Sequence, residues 1–278
     1  EVSDRPCRPR PFTWRAAFAA TERSLMLAGG GYVTEVFRVG LTGALGAGKS
    51  SVGKALGARG ALVIDADEVA KSVLAPGTFA ERAVLKRFGP RVAGVDGSLD
   101  RRALAAIVFA DADSRMALEA ITHPLIEQEV ARRVASLETQ AASAKTVRRG
   151  DSEAGSETDA GQGERTPRVA VIELPLLDRE RCRRYGLDAV VLVEASEEVE
   201  VSRAVTDRAM SEGEARARLA AQPDPARQRA IADRVITNAG SRDELEAAVD
   251  ELWSWLTAAA GARLKGRNSG GAWRTELS

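Results

Sequence analysis

One histidine, His123, and two cysteines, Cys7 and Cys182, are all that this chain of 278 residues offers of the side chains that most often hold transition metals. A single imidazole cannot build a histidine-rich metal centre, and the two cysteines lie far apart with no partner at metal-binding spacing. Cysteine this sparse points to a reducing compartment, and a cytoplasmic protein is the expectation. Net charge is missing as well. Forty basic and forty acidic residues cancel, so no overall field draws the chain to nucleic acid or to an anionic membrane, and neither is expected as a partner. A polyanionic small ligand would need only a local basic cluster. Long hydrophobic runs are also absent: the longest candidate, around residues 17–28, is broken by Glu22 and Arg23, too short to cross a bilayer. Residues 1–34 open without Met, carry Pro6, Pro9 and Pro11 among arginines, and show no sustained periodicity. They are expected to form an extension outside the folded domain, with Met26 as a candidate start.

Apolar residues make up 44% of the chain, enough to bury the core of one large domain. Short apolar runs at "VFRVGL", "ALVID", "RVAVIEL", "DAVVLVEA" and "RVITN" read as buried strands. Helical patterns lie between them, which points to an α/β protein with a parallel sheet and right-handed crossovers. Residues 79–137 are the exception, a block of helical patterns almost free of strand signal, whose last helix runs through "HPLIEQEVARRVASL". Residues 138–168 are rich in Ser, Thr, Gly and charge, and are expected to be a disordered loop. Ser211 with Glu214 and Ser241 with Glu244 have capping-box spacing, and Asp224-Pro225 supplies an N-cap and first helical position. Trp253 and Trp255 fall in a helical apolar pattern and read as packing residues. Residues 261–278 read as a loose tail.

The chemistry is concentrated at "GALGAGKS", which fits G-x-x-x-x-G-K-[ST] between a strand and a helix. Glycines there let backbone N–H groups approach phosphate oxygens, and the following helix adds its positive end. Lys49 is expected to reach the β- and γ-phosphates, Ser50 to give an oxygen to Mg²⁺, and Ser51 to add a hydroxyl or a helix contact. Glu173, at the end of a neighbouring strand, is the candidate second acid for the metal. In an extended segment Asp65 and Asp67 would project to one face at the carboxyl end of the second strand, where ligands of open sheets bind. Asp65 also has capping-box spacing to Glu68, so Asp67 is the candidate that takes a proton from an acceptor hydroxyl. The arginine-rich segment 203–222 has the character of a lid bringing charge to the transferring phosphoryl group, with Arg203 and Arg208 leading and Arg216 and Arg218 as further candidates.

With these residues in place, the chain from Phe37 to about Leu256 resembles the dephospho-CoA kinase family. The likeness extends through "GLTGALGAGKSSV", "VIDADEVAKSVLAPGT", "FGPRV", "DGSLDRRALAAIVF", "HPLI", "ELPLL", "RARLAAQ" and "ADRVITNAG", in that order. It implies a P-loop core over residues 35–260 with a helical acceptor-binding region (79–137) and a lid. It also implies ATP and Mg²⁺ as cofactors and transfer of a phosphoryl group to the ribose 3′-hydroxyl of dephospho-CoA. The partner is then a small molecule, and a monomer is the default expectation. Within it, Gly43, Gly46, Ala47, Gly48, Lys49, Ser50, Ser51, Arg208 and Asn238 would hold the nucleotide. Asp65, Asp67, Arg101 and His123 would meet the acceptor, and Lys49, Asp67 and Arg203 would serve the transfer itself. Ala44, Glu173, Asp178 and the "TDRAM" sequence around Arg208 depart from the usual family pattern, and the 138–168 insertion is foreign to it. The nearest alternative is another P-loop kinase acting on a nucleoside monophosphate, shikimate or gluconate. A regulatory GTPase would need N-K-x-D and D-x-x-G sequences, and neither occurs.

Overall fold

The five apolar runs form one parallel sheet. A computed structural model of the chain describes residues 36–149, 168–222 and 224–268; the N-terminal extension with Met26 lies outside them. The strands are β1 (Val36–Gly43), β2 (Leu62–Asp65), β3 (Arg168–Glu173), β4 (Ala189–Glu194) and β5 (Arg234–Thr237), in the spatial order β2-β3-β1-β4-β5. β1 is therefore central, pairing with β3 on one side (Val39 opposite Val171) and β4 on the other (Leu41 opposite Val191). Continuous apolar strands of this kind are buried on both faces, as parallel sheets require.

Period-two alternation sends side chains to two cores. Phe37, Val39 and Leu41 of β1, with Val169 and Val171 of β3, face Val52 and Leu56 of helix α1 (Lys49–Ala58). The long C-terminal helix α10 (Arg242–Asn268) closes that layer through Val249, Leu252 and Leu256. Trp253 and Trp255 pack at its edge, and the Arg234 guanidinium lies 4.7 Å over the Trp255 ring. On the opposite face, Ala170 and Ile172 meet Val69 of α2 (Ala66–Val73) and Ile126, Val130 and Val134 of α5 (Ala112–Arg149).

A satellite core of Val84, Phe88, Val92, Leu99 and Leu104 binds α3 (Phe79–Phe88) and α4 (Arg101–Ala110) to α5. The remaining helices follow β3, β4 or the turn before β5. They are α6 (Arg179–Tyr185), α7 (Glu197–Arg208), α8 (Glu212–Ala220) and α9 (Pro225–Arg229). The caps expected at Ser211 with Glu214, Ser241 with Glu244, and Asp224 ahead of Pro225 form.

Two sequence expectations about these elements need correction. α5 begins at Ala112 and runs through "HPLIEQEVARRVASL" as expected, with Pro124 inside it. Thr122, just before that proline, turns its hydroxyl back to the Leu118 carbonyl. α5 also continues to Arg149, into the segment expected to be a disordered loop. "ETQAASAKTVRR" lacks apolar bulk but is rich in residues that extend an already nucleated helix at little cost. Residues 150–167 lie outside the described residues. The expected C-terminal tail is helical to Asn268, because one glycine at 261 does not end a helix already anchored by its neighbours. Arg263 in that extension pairs with Asp188.

Candidate active site

The loop between β1 and α1 is shaped by contacts from far along the chain. Gly46 (φ 78°) and Gly48 (φ 93°) adopt the left-handed backbone that glycine alone accepts without strain. Each is also closely approached: a Cβ on Gly46 would run into the Glu200 backbone, and one on Gly48 into the Asn238 amide. The buried Asn238 side chain donates from Nδ2 to the Ala47 carbonyl at 2.8 Å. Arg203, on α7, donates to the carbonyls of Gly46 and Ala47 at 3.4 and 3.5 Å. The Ala47 N–H is turned inward to the Ala44 carbonyl, and tying the other carbonyls outward lets further loop N–H groups face an anion. Gln222 accepts from the Leu45 N–H at 3.3 Å, and Leu45 packs with Val201, Ala204 and Ala215 of α7 and α8. The arginine-rich segment thus lies directly on the loop.

A cleft of about 730 Å³ opens beside it. Gly46, Gly48, Lys49, Ser50 and Ser51 line it, together with Arg203, Arg208 and Asn238. Gly43 and Ala47 do not; Gly43 is the end of β1, where a Cβ would meet the Val193 carbonyl of β4. Of the other lid candidates, Arg216 is engaged by Glu212 and Glu197, and Arg218 is exposed on α8.

The acids lie at the sheet end of α1. Glu173 is buried and accepts from the Ser50 hydroxyl at 3.2 Å. Burial pushes its carboxyl above the usual range, Lys49 and the Ser50 bond pull it down, and Asp65 and Asp67 push it up again. Lys49, Ser50, Glu173 and the first turn of α2 are thus electrostatic neighbours. Asp65 and Asp67 do not share an extended face, because the chain turns helical at Ala66. Asp65 becomes the N-cap of α2, its Oδ1 accepting from the N–H groups of Asp67 and Glu68 at 2.8 and 3.2 Å. Asp67 is exposed in that first turn.

Arg101 and His123 do not line the cleft, and neither do Asp65, Asp67 and Glu173. Arg101 donates to the carbonyls of Lys71 and Leu74 at the far end of α2. That end is about 12 Å from its start, at 1.5 Å rise per residue. His123 is half-buried on α5, its pKa lowered by burial and by Arg181 and Arg184, against the pull of Glu119.

Sequence reasoning missed part of the cleft lining: Lys54 on α1, Asp207 on α7, and Gly240, Arg242, Leu245 and Glu246 after β5. The available signal was the turn after β5, since ligands of open α/β sheets bind beyond the carboxyl ends of strands. Ser241, in that turn, lines the cleft as well as capping α10.

A glycine-rich phosphate loop between a central parallel strand and a helix, with a lysine, a hydroxyl and arginines around one cleft, defines a P-loop nucleotide-binding protein with the layout of a small-molecule kinase. The comparisons narrow this. The family model for dephospho-CoA kinase matches residues 37–147 and 156–244. A dephospho-CoA kinase of Frankia casuarinae is 42% identical over 229 residues, covering 82% of this chain and 87% of the relative. One of Streptomyces avermitilis is 42% identical over 221 residues, covering 80% and 94%. A crystal structure from Thermus thermophilus superposes with a TM-score of 0.60 at 30% identity, covering 80% of this chain and 99% of that one. The chain belongs to the dephospho-CoA kinase family.

Proposed function

We infer that the chain transfers the γ-phosphoryl group of ATP to the ribose 3′-hydroxyl of dephospho-CoA, giving ADP and coenzyme A. The observation that carries this reading is the extent of the family match. It spans the helices from Phe79 to Ala110 as well as the phosphate loop, which alone would fit any P-loop kinase.

ATP would lie with its β- and γ-phosphates in the 43–51 loop, gripped by backbone N–H groups and by Lys49. Arg203 and Arg208, from α7, would add charge over the transferring group. The 3′-oxygen forms a bond to γ-phosphorus as the bond to the β–γ bridging oxygen breaks, and that electron pair leaves on ADP. Asp67 would orient the hydroxyl and receive its proton. The oxygen-only donor set of Ser50 and Glu173 suits Mg²⁺, which takes one or two protein oxygens and completes its shell with phosphates and water. Among the described residues no three His, Cys, Asp or Glu side chains form a metal cluster, so an ion here would share its shell with the nucleotide. When bound, it would neutralise charge on the β- and γ-oxygens.

No helix among the described residues is long and apolar enough to cross a membrane. A cytoplasmic monomer acting on a diffusible substrate is part of the same proposal. ADP release coupled to a reporter, run with dephospho-CoA beside shikimate, gluconate and nucleoside monophosphates, tests the reading. Turnover should require dephospho-CoA, and the product should carry a new 3′-phosphate by ³¹P NMR. Faster turnover with another acceptor would overturn it.

A further inference from the structure

Glu173 occupies space that exists only because residue 53 has no side chain. Gly53 lies one turn along α1 from Ser50, so the two share the helix face that meets β3. A Cβ built on Gly53 would overlap Glu173 Oε1 and stand 3.0 Å from its Cδ. The other oxygen, Oε2, takes the Ser50 hydroxyl. The carboxylate is thus held from two sides of one helix turn: a hydrogen bond from position 50 and a cavity left by position 53. A glycine inside a helix is ordinarily unfavourable, and alanine would be the better helix former. Here alanine would displace the acid.

We propose that Gly53 is a positioning residue: its missing side chain sets the place of the Glu173 carboxylate against Ser50, and with it the oxygen donors offered to the magnesium of MgATP. Gly53 and Glu173 form one steric unit. A side chain one methylene shorter at 173 would not reach the space beside Gly53, so a methyl group there would no longer matter. The proposal rests on the assignment of Glu173 to the metal side of the site.

The experiment is a double-mutant cycle of Gly53→Ala, Glu173→Asp and the pair together. It is read by Mn²⁺ affinity of the ADP complex through electron paramagnetic resonance, and by single-turnover phosphorylation of dephospho-CoA. Gly53→Ala in the native background should weaken Mn²⁺ binding and slow transfer by about tenfold or more, in the range for outer-shell supports of a metal. In the Glu173→Asp background the same methyl should change neither. Equal effects in both backgrounds, or none in the native one, would overturn the proposal. If Gly53→Ala alone fails to fold, the coupling is read as recovery of folding by Glu173→Asp, and failure of that recovery rejects it. Glu173→Gln tests the underlying assignment separately. Unchanged Mn²⁺ affinity in that variant removes the metal role, and the steric coupling then stands or falls on turnover.

Discussion

Two positions apart, Asp65 and Asp67 have opposite surroundings. Asp65 spends one oxygen on two backbone N–H groups, whereas Asp67 stands exposed in the first turn of α2, two residues beyond the Asp65 that pairs with Glu173 in the sheet. Asparagine caps a helix nearly as well as aspartate but cannot take a proton. Asp67→Asn should therefore lower single-turnover transfer by about 10²-fold, the low end for general-base assistance in a loose transition state, while Asp65→Asn falls much less. The reverse order would reassign the pair. Lys49→Ala should lose about 10²–10³-fold or more in turnover with the fold retained, because the transferring oxygens lose their main cation; near-native turnover would remove its role. His123 gives a prediction in pH. Its folded pKa lies below the ordinary 6.5, so the unfolded chain takes up its proton first. Stability should be undiminished above pH 6.5, fall as pH drops from there towards the lowered folded value, and level off below it. As the chain's sole imidazole, its NMR titration is unambiguous. A midpoint at or above 6.5 would contradict the burial argument, and His123→Gln should flatten the Tm profile over that window.

Helix α7 ends on Ala209, whose φ of 52° makes it the one non-glycine with positive φ among the described residues. A left-handed helix end is a position glycine fills without strain. Ala209→Gly should stabilise by about 0.5–1 kcal/mol, a rise in Tm of about 1–4 °C for a domain this size. An unchanged or lower Tm would mean that the αL turn is not strained. The elements themselves were mostly legible. β3 and β4 are apolar runs bounded by glycine, proline or charge, β1 is a similar run interrupted by Arg38, and the caps at Ser211, Asp224 and Ser241 each stand at fixed offsets. What spacing could not carry was geometry between distant segments. An alternating Asp-Ala-Asp reads as extended until the N–H groups behind Asp65 turn it into a cap. The polar run after Leu137 reads as loop because composition registers a missing core face, not helix already growing into it. Asn238 and Arg203 grip carbonyls some 190 and 157 positions away, and no local pattern encodes such a meeting.

At the scale of the whole molecule, the residues flanking 138–167 are tied together: the Arg168 guanidinium donates to the Leu137 carbonyl at 2.5 Å, and the family model passes over only residues 148–155 of what lies between. Replacing residues 138–167 by a short glycine-serine linker should leave turnover within about threefold, since closing a surface loop depends only weakly on its length. Loss of transfer in a folded deletion would show that the insertion takes part in binding or regulation. The strand order bears on how the protein is made. Of the five described strands β1 is made first yet lies at the centre of the sheet, and neither of its neighbours exists until residues 168–173 and 189–194 have followed. The phosphate loop is written ahead of β2, β3, β4 and β5 but is not fully pinned until Asn238 arrives. A chain cut short before that residue would carry every letter of the ATP motif and grip no nucleotide. In the cell, tight nucleotide binding by this protein would thus mark translation carried past its last strand.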